Sequence, residues 1–227
     1  MTASSLSDVT MRPIVAGYPT RTVRLAFGSV DIDLLTVQRL EDYVDTDALL
    51  RDPNAPEPPY WAHLWTGSRH LARLLATRLT CAGRRVVDIG CGLGLVGVVA
   101  ARRGARVLAV DTAYAALAFT RANAARNACA LQVVQADVAH PGLRGPFDLC
   151  LAADVTYDPR LQLALGAFLA AHLSPAGEAW SVESVRTMDP GFRRACEAWG
   201  LRVSEYEDRE PDDGRNVWVR VTTVTRP

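Results

Sequence analysis

The stretch Arg84–Asp111, RRVVDIGCGLGLVGVVAARRGARVLAVD, limits the fold more than any other part of the chain. An unbroken apolar run, Arg85–Ile89, ends in a loop with Gly90, Gly92 and Gly94 at alternate positions. A helical run, Leu95–Arg103, follows and stops at Gly104, the residue type that ends helices in left-handed backbone. A second apolar run, Arg106–Val110, then ends at Asp111. Strands apolar on both faces belong to parallel sheets covered by helices on both sides. Two such strands joined through a helix make a right-handed crossover unit.

The alternation continues to the end of the chain. The pattern predicts a helix over Ala113–Arg126, strands over Leu131–Gln135 and Phe147–Ala152, and a helix over Leu161–His172. A strand over Glu178–Glu183, a helix over Pro190–Trp199 and strands over Leu201–Tyr206 and Val217–Val224 complete it. The last two flank EDREPDDGRN, read as a turn from its Asp-Gly pair, and so pair antiparallel. Ahead of the glycine loop, Leu71, Leu74, Leu75 and Leu79 recur at helical spacing from Ser68 onward. The fold class expected is α/β: a Rossmann-like, doubly wound, mostly parallel seven-stranded sheet with an antiparallel last strand, plus a short N-terminal β appendage. RTVRLAFGSVDIDLL alternates apolar and polar residues about Gly28 and Ser29 and reads as a hairpin, while residues 1 to about 20 read as a loose tail. The proline-rich DPNAPEPPYW separates this part from the rest, dividing the chain into a tail and appendage, 1–57, and a main domain, 58–227.

Formal net charge is zero, so nothing draws the whole chain toward nucleic acid or an anionic membrane. The five cysteines form no C-x-x-C pair and read as reduced, mostly buried thiols, and no cluster suits zinc. The N-terminus lacks the basic start and apolar run of a secretory signal, and no apolar run is long enough to span a bilayer. A cytoplasmic, monomeric protein with neither a nucleic-acid nor a membrane partner is expected.

Two glycine patterns overlap in the loop. Gly92, Gly94 and Gly97 match G-x-G-x-x-G, the dinucleotide fingerprint. That reading puts Asp88 and Gly90 in the last residues of the strand, where a buried carboxylate needs a partner. Asp88, Gly90, Gly92 and Gly94 instead read D-x-G-x-G-x-G, with the carboxylate emerging at the carboxyl edge of the sheet, where open α/β folds bind ligands. A carboxylate there disfavours pyrophosphate and suits a cationic ligand. Asp111, ending the next strand, can accept both hydroxyls of a ribose, and Asp137, following VVQA, can meet an adenine amino group. Three carboxylates at three successive strand ends suit a positively charged nucleoside, S-adenosylmethionine.

The same residues, VVDIGCGLGLVGVVAARRGARVLAVD, resemble the first two motifs of class I S-adenosylmethionine-dependent methyltransferases, over roughly residues 60–225. PPYWAHLWTGSRHLARLL resembles the stretch leading into the seven-β-strand protein-lysine methyltransferases, nearest the branch acting on the electron transfer flavoprotein β subunit. AFTRANAARNA, with Asn123 and Asn127, is similar to that family's asparagine-bearing helix, and LAADVTYDP to its D-x-x-Y motif, as Asp154 and Tyr157. The resemblance implies S-adenosylmethionine as cofactor and a methyl transfer to an amine, a protein lysine or a small molecule. A small-molecule N-, C- or O-methyltransferase is the alternative; an oxidoreductase or a non-catalytic binding module stands behind both. It implies cofactor contacts at Trp65, Gly67, Asp88, Gly90, Gly92, Gly94, Asp111, Asp137 and Asp154, and catalytic roles for Asp154 and Tyr157. Asp88 would face the methionine amino group, Gly67 would let backbone approach the methionine part, and Asp154 would orient the acceptor amine beside Tyr157. Each has a plainer alternative: Asp88, Asp111 and Asp154 as helix caps, Trp61 and Trp65 as core anchors, His63 and His70 as surface or packing residues.

Overall fold

The computed structural model describes residues 13–45, 51–52, 57–184 and 190–227. Residues 1–12 of the expected tail and 53–56 of the proline-rich break lie outside them. Three strands come first: β1 (Ile14–Val15), β2 (Tyr18–Phe27) and β3 (Val30–Val37), an antiparallel sheet of its own. The hairpin turns at Gly28–Ser29, with Phe27 opposite Val30. Part of the expected loose tail is therefore strand, because Thr20 pairs with Val37 and bonds back to the Pro13 carbonyl.

Next come α1 (Thr66–Thr77), β4 (Arg85–Ile89), α2 (Leu95–Arg102), β5 (Arg106–Asp111), α3 (Tyr114–Arg126) and β6 (Gln132–Gln135). The chain continues through β7 (Phe147–Ala153), α4 (Pro159–His172), β8 (Leu173–Ser184), α5 (Gly191–Ala198), β9 (Arg202–Asp212) and β10 (Arg215–Thr225). The second sheet has seven strands in the order β6-β5-β4-β7-β8-β10-β9. Neighbours from β6 to β8 run parallel, and β10 is antiparallel to both β8 and β9. Strand order reverses between β4 and β7, the switch point where ligands bind at the carboxyl ends of open α/β sheets.

Strands that are apolar throughout feed two cores, one on each face. Val86 of β4 points into the core shared with Leu71 and Leu75 of α1, Val98 of α2 and Phe119 of α3. Its neighbour Val87 points into the other, with Phe168 and Leu169 of α4 and Phe192 of α5. The N-terminal sheet belongs to the first core through Phe27, Ile32 and Leu34. Asn123 and Asn127, one helical turn apart on α3, hold β3 in place. Asn123 accepts the Leu35 N–H at 2.6 Å and donates to the carbonyls of Leu35 and Leu93. Asn127 accepts the Asp33 N–H at 2.9 Å and donates to its carbonyl at 3.0 Å. The two amides act on the free edge of β3 as a neighbouring strand would.

The expected turn EDREPDDGRN is mostly strand: β9 runs to Asp212, and only Asp213 and Gly214 make the turn. Pro211 fits because β9 is an edge strand. Two of its acidic residues, Glu210 and Asp212, are not solvated loop positions. Glu210 is fully buried and accepts from Arg73 at 2.6 and 3.0 Å, and its Oε2 lies 3.2 Å from the His70 ring. Asp212 bonds Arg69 at 2.8 Å and the Thr66 hydroxyl at 2.5 Å. These pairs fasten the hairpin to α1. Strand β8 also starts earlier than expected, at Leu173, with a register shift opposite Phe147–Leu149. Among the described residues no helix is long and apolar enough to cross a membrane, and no cluster of ligands could hold a metal. All five cysteines are free, and four are buried.

Candidate functional site

A cavity of about 470 Å³ opens at the carboxyl ends of β4 to β8, beside the switch point. That volume is within the range of small-molecule sites. Its walls bring together Trp65, Asp88, Gly90, Gly92, Asp111, Asp137, Asp154 and Tyr157 of the expected set. Gly67 and Gly94 lie off the wall. A Cβ on Gly94 would come 2.6 Å from the Thr120 hydroxyl, so this glycine lets α3 close on the loop.

Asp88 does not emerge at the rim. It sits inside β4, opposite Ala109 and Leu151, and is 2% exposed. Its Oδ2 accepts the Gly97 N–H at 2.9 Å, in the first turn of α2. A Cβ on Gly97 would lie 2.9 Å from that oxygen, so the third glycine of G-x-G-x-x-G admits a carboxylate of the chain itself. The partner that a buried Asp88 needs is therefore present. Burial pushes its pKa up to about 7, the Gly97 bond opposes the rise, and the charge of Asp111 adds to it.

Asp111 ends β5 and is 9% exposed. Its Oδ2 accepts the Gly92 N–H at 2.9 Å, tying the glycine loop to the next strand. Its Oδ1 accepts the Ala113 N–H at 2.9 Å, just before α3. Burial raises its pKa against these bonds. Asp137 follows β6, is exposed, and accepts the Ala139 N–H at 2.8 Å.

Trp65 immediately precedes α1. Its indole donates to the Tyr60 carbonyl at 2.9 Å, and its ring meets His63 edge-on at 4.4 Å. Trp61 packs on Tyr18 and Phe119, each with ring centres 5.3 Å apart, as a core anchor that also touches the cavity. His70 is buried in the packing against Glu210, whereas His63 is exposed on the cavity wall.

Asp154 follows β7 with φ of 53°. Its Oδ1 accepts from the Ser184 N–H at 2.8 Å and hydroxyl at 2.9 Å, at the end of β8. It does not cap α4; Asp158 does, accepting the Arg160 N–H at 2.8 Å. Tyr157 is 68% exposed at the mouth. Partial desolvation of its hydroxyl raises its pKa, and the charge of Glu57 adds to the rise. Glu57, Tyr60, Glu183 and Ser184 also line the wall and carry no motif of their own. The signal that could have found Glu183 and Ser184 is their place at the carboxyl end of a buried strand.

The sequence profile of the methyltransferase small domain matches residues 60–184. The chain belongs to this family. The fold is that of class I S-adenosylmethionine-dependent methyltransferases. The chain is 37% identical over 105 residues to the electron transfer flavoprotein beta subunit lysine methyltransferase of Danio rerio, covering 45% of the chain and 41% of that protein. It is 44% identical over 73 residues to a ribosomal RNA small subunit methyltransferase C of Chromohalobacter salexigens, covering 32% of the chain and 22% of the relative. The chain thus spans less than half the length of either relative. Among solved structures, a ribosomal protein L11 methylase of Lactobacillus delbrueckii subsp. bulgaricus superposes with a TM-score of 0.58 at 21% identity, covering 70% of this chain and 79% of the other. The magnesium protoporphyrin IX methyltransferase of Synechocystis PCC 6803, solved with bound SAH, gives 0.57 at 17% identity, over 71% and 82%.

Proposed function

We propose that this methyltransferase-family chain uses S-adenosylmethionine to methylate an amine, and that the acceptor is a lysine side chain of another protein. The charge of the cavity wall carries the reading. Six carboxylates line it, from Glu57, Asp88, Asp111, Asp137, Asp154 and Glu183, with no Arg among the described lining residues. Such a wall favours cations and disfavours a polyanionic ligand such as a pyrophosphate.

The residues present suit the cofactor. Each Asp111 oxygen takes one backbone N–H and keeps a second acceptor site, enough for two ribose hydroxyls. Asp137, exposed beside β6, serves the adenine amino group, and Asp88 biases the deepest part of the site toward the methionine ammonium. The bare backbone of Gly90 and Gly92 and the Trp65 ring complete this side. When bound, S-adenosylmethionine supplies a methyl group on a sulfonium, already activated for in-line displacement.

The protein's part is alignment and exclusion of water, worth roughly 7–11 kcal/mol when reacting atoms are held in line. Glu57, Tyr60 and Tyr157 at the mouth receive an ammonium on a flexible stem. A free lysine ammonium has a pKa of about 10.4 and must lose its proton before attack. The carboxylates draw the ammonium in and favour its charged form, while burial against Val155, Leu161 and Leu165 opposes that, so the proton leaves to solvent water before the amine is fully enclosed.

The test is to incubate the protein with tritium-labelled S-adenosylmethionine and an undermethylated extract of its own source. Label is expected in a protein band, as methyl-lysine on hydrolysis. Label confined to RNA or to small molecules would sink the lysine assignment. All 25 basic residues of the chain are Arg, so methylation of its own lysines cannot produce the band.

A further inference from the structure

Asp154 has the position of an acceptor-facing carboxylate but spends its contacts on the protein. It stands in left-handed backbone, φ 53°, a conformation that Asp tolerates better than most residues. Its own N–H donates to the Val182 carbonyl at 2.9 Å. Its Oδ1 accepts both donors of Ser184. Its Oδ2 is buried, with no donor at hydrogen-bonding geometry among the described residues. That oxygen lies against the first turn of α1, where a Cβ on Gly67 would overlap it. Burial raises the carboxyl pKa, the Ser184 bonds hold it down, and the nearby N–H groups of Gly67 and Ser68 act the same way, as the positive end of a helix does.

The side chain therefore touches two separate walls of one cavity. Glu183 and Ser184 line the cavity from the end of β8, and Trp65 and Ser68 line it from the start of α1. Gly67 is buried between these walls because only a bare backbone leaves room for the carboxylate and for the Val182 carbonyl, 2.6 Å from its ideal Cβ.

We propose that Asp154 is a positioning residue: through Ser184 on one side and the Gly67 turn on the other, it fixes the spacing between the β8 wall and the Trp65 wall. This rests on the methyl-transfer reading of the same cavity and changes the role that D-x-x-Y suggests for its first residue. Contact with the acceptor amine then falls to the other groups at the mouth.

Ser184→Ala separates the two roles, because they predict opposite signs. It removes a hydroxyl that occupies Oδ1 and leaves the carboxylate. A carboxylate that met the ligand directly would be freed, and affinity for S-adenosylhomocysteine, the probe used, would hold or tighten. A positioning carboxylate loses its grip on β8, and calorimetry should show three- to tenfold weaker binding. Ser184→Thr keeps the hydroxyl and should restore the affinity. Asp154→Ala should weaken binding at least as much as Ser184→Ala, and the double variant should be no worse than Asp154→Ala alone. Without any ligand, the Trp65 indole N–H resonance should move in Ser184→Ala and return in Ser184→Thr. Unchanged or tighter binding in Ser184→Ala, an unmoved Trp65 signal, or losses that simply add would overturn the positioning role. Failure of the unsubstituted protein to bind S-adenosylhomocysteine would instead strike the methyl-transfer reading itself.

Discussion

Asp88 and Asp111 are the same residue type on adjacent strands, yet the fold uses them differently. Asp88, inside its strand, has an ordinary pKa of 3.8 and is pushed to about 7 by burial. Between about pH 4 and 7 the folded protein therefore keeps a proton that the unfolded chain has lost, and stability falls as pH rises through that window. At 1.36 kcal/mol per unit, the full effect above pH 7 is on the order of 4 kcal/mol. Asp88→Asn keeps an acceptor for the Gly97 N–H and has no charge to bury. Urea unfolding of the ligand-free variant should show a flatter pH dependence than the parent, with the gain largest near pH 8; parallel curves would show that Asp88 does not titrate in this range. For Asp111, losing charge-assisted bonds worth roughly 1.5–3 kcal/mol should weaken S-adenosylhomocysteine binding tenfold or more in Asp111→Ala. Calorimetry finding the parent affinity in that variant would remove the ribose role. Both carboxylates stand out in the sequence, and both border the cavity. Their protonation is not legible in the sequence, because it depends on helix α2 lying across Asp88.

Two couplings between elements hold the walls of the cavity. The amide side chains of α3 satisfy the edge of β3, and Asn123 alone makes bonds to Leu35 N–H, Leu35 C=O and Leu93 C=O. Asn123→Ala leaves those buried groups unpaired, at roughly 1–3 kcal/mol each and not additively, so a loss of about 2–4 kcal/mol is expected in urea unfolding. The Leu35 amide should lose hydrogen-exchange protection with it. The β9–β10 hairpin is held to α1 by Glu210. Burial alone would raise its carboxyl pKa, but bonds from His70 and Arg73 win and bring it to about 2, from 4.5. The stability this contributes is present above about pH 4.5 and is lost as pH falls through 2. In Glu210→Gln the acid limb of the stability curve should be shallower; an unaltered limb would show that the pair contributes nothing to acid unfolding. Sequence patterning placed α3 to within one residue and the start of α1 to within two, since apolar spacing is a local property. It missed the length of β9, because EDREPD has the composition of a solvated turn. Backbone pairing with β10 makes that segment a strand, and cations on α1, more than 130 positions earlier, hold the carboxylates of Glu210 and Asp212.

For the whole molecule, any ligand that binds only the folded form stabilises it by mass action. S-adenosylhomocysteine at a hundred times its Kd should add about 2.7 kcal/mol and raise Tm by roughly 5–10 °C, while NAD at the same concentration should leave it unmoved. The reverse result would restore the dinucleotide reading of the glycine loop. Local patterning was enough for the layered α/β architecture, the parallel crossover units, the hairpins at Gly28–Ser29 and Asp213–Gly214, and the place of Asp111 at the end of β5. Those features follow from periodicity and turn chemistry, which act over a few residues. Tertiary structure alone decided that Gly97 serves Asp88, that the asparagines of α3 complete the N-terminal sheet, that Glu183 and Ser184 join the cavity, and that Asp154 is gripped from two sides. Each of these is a hydrogen bond or close approach between groups far apart in the chain. Their partners are set by how whole elements pack, and no local pattern of side chains encodes that.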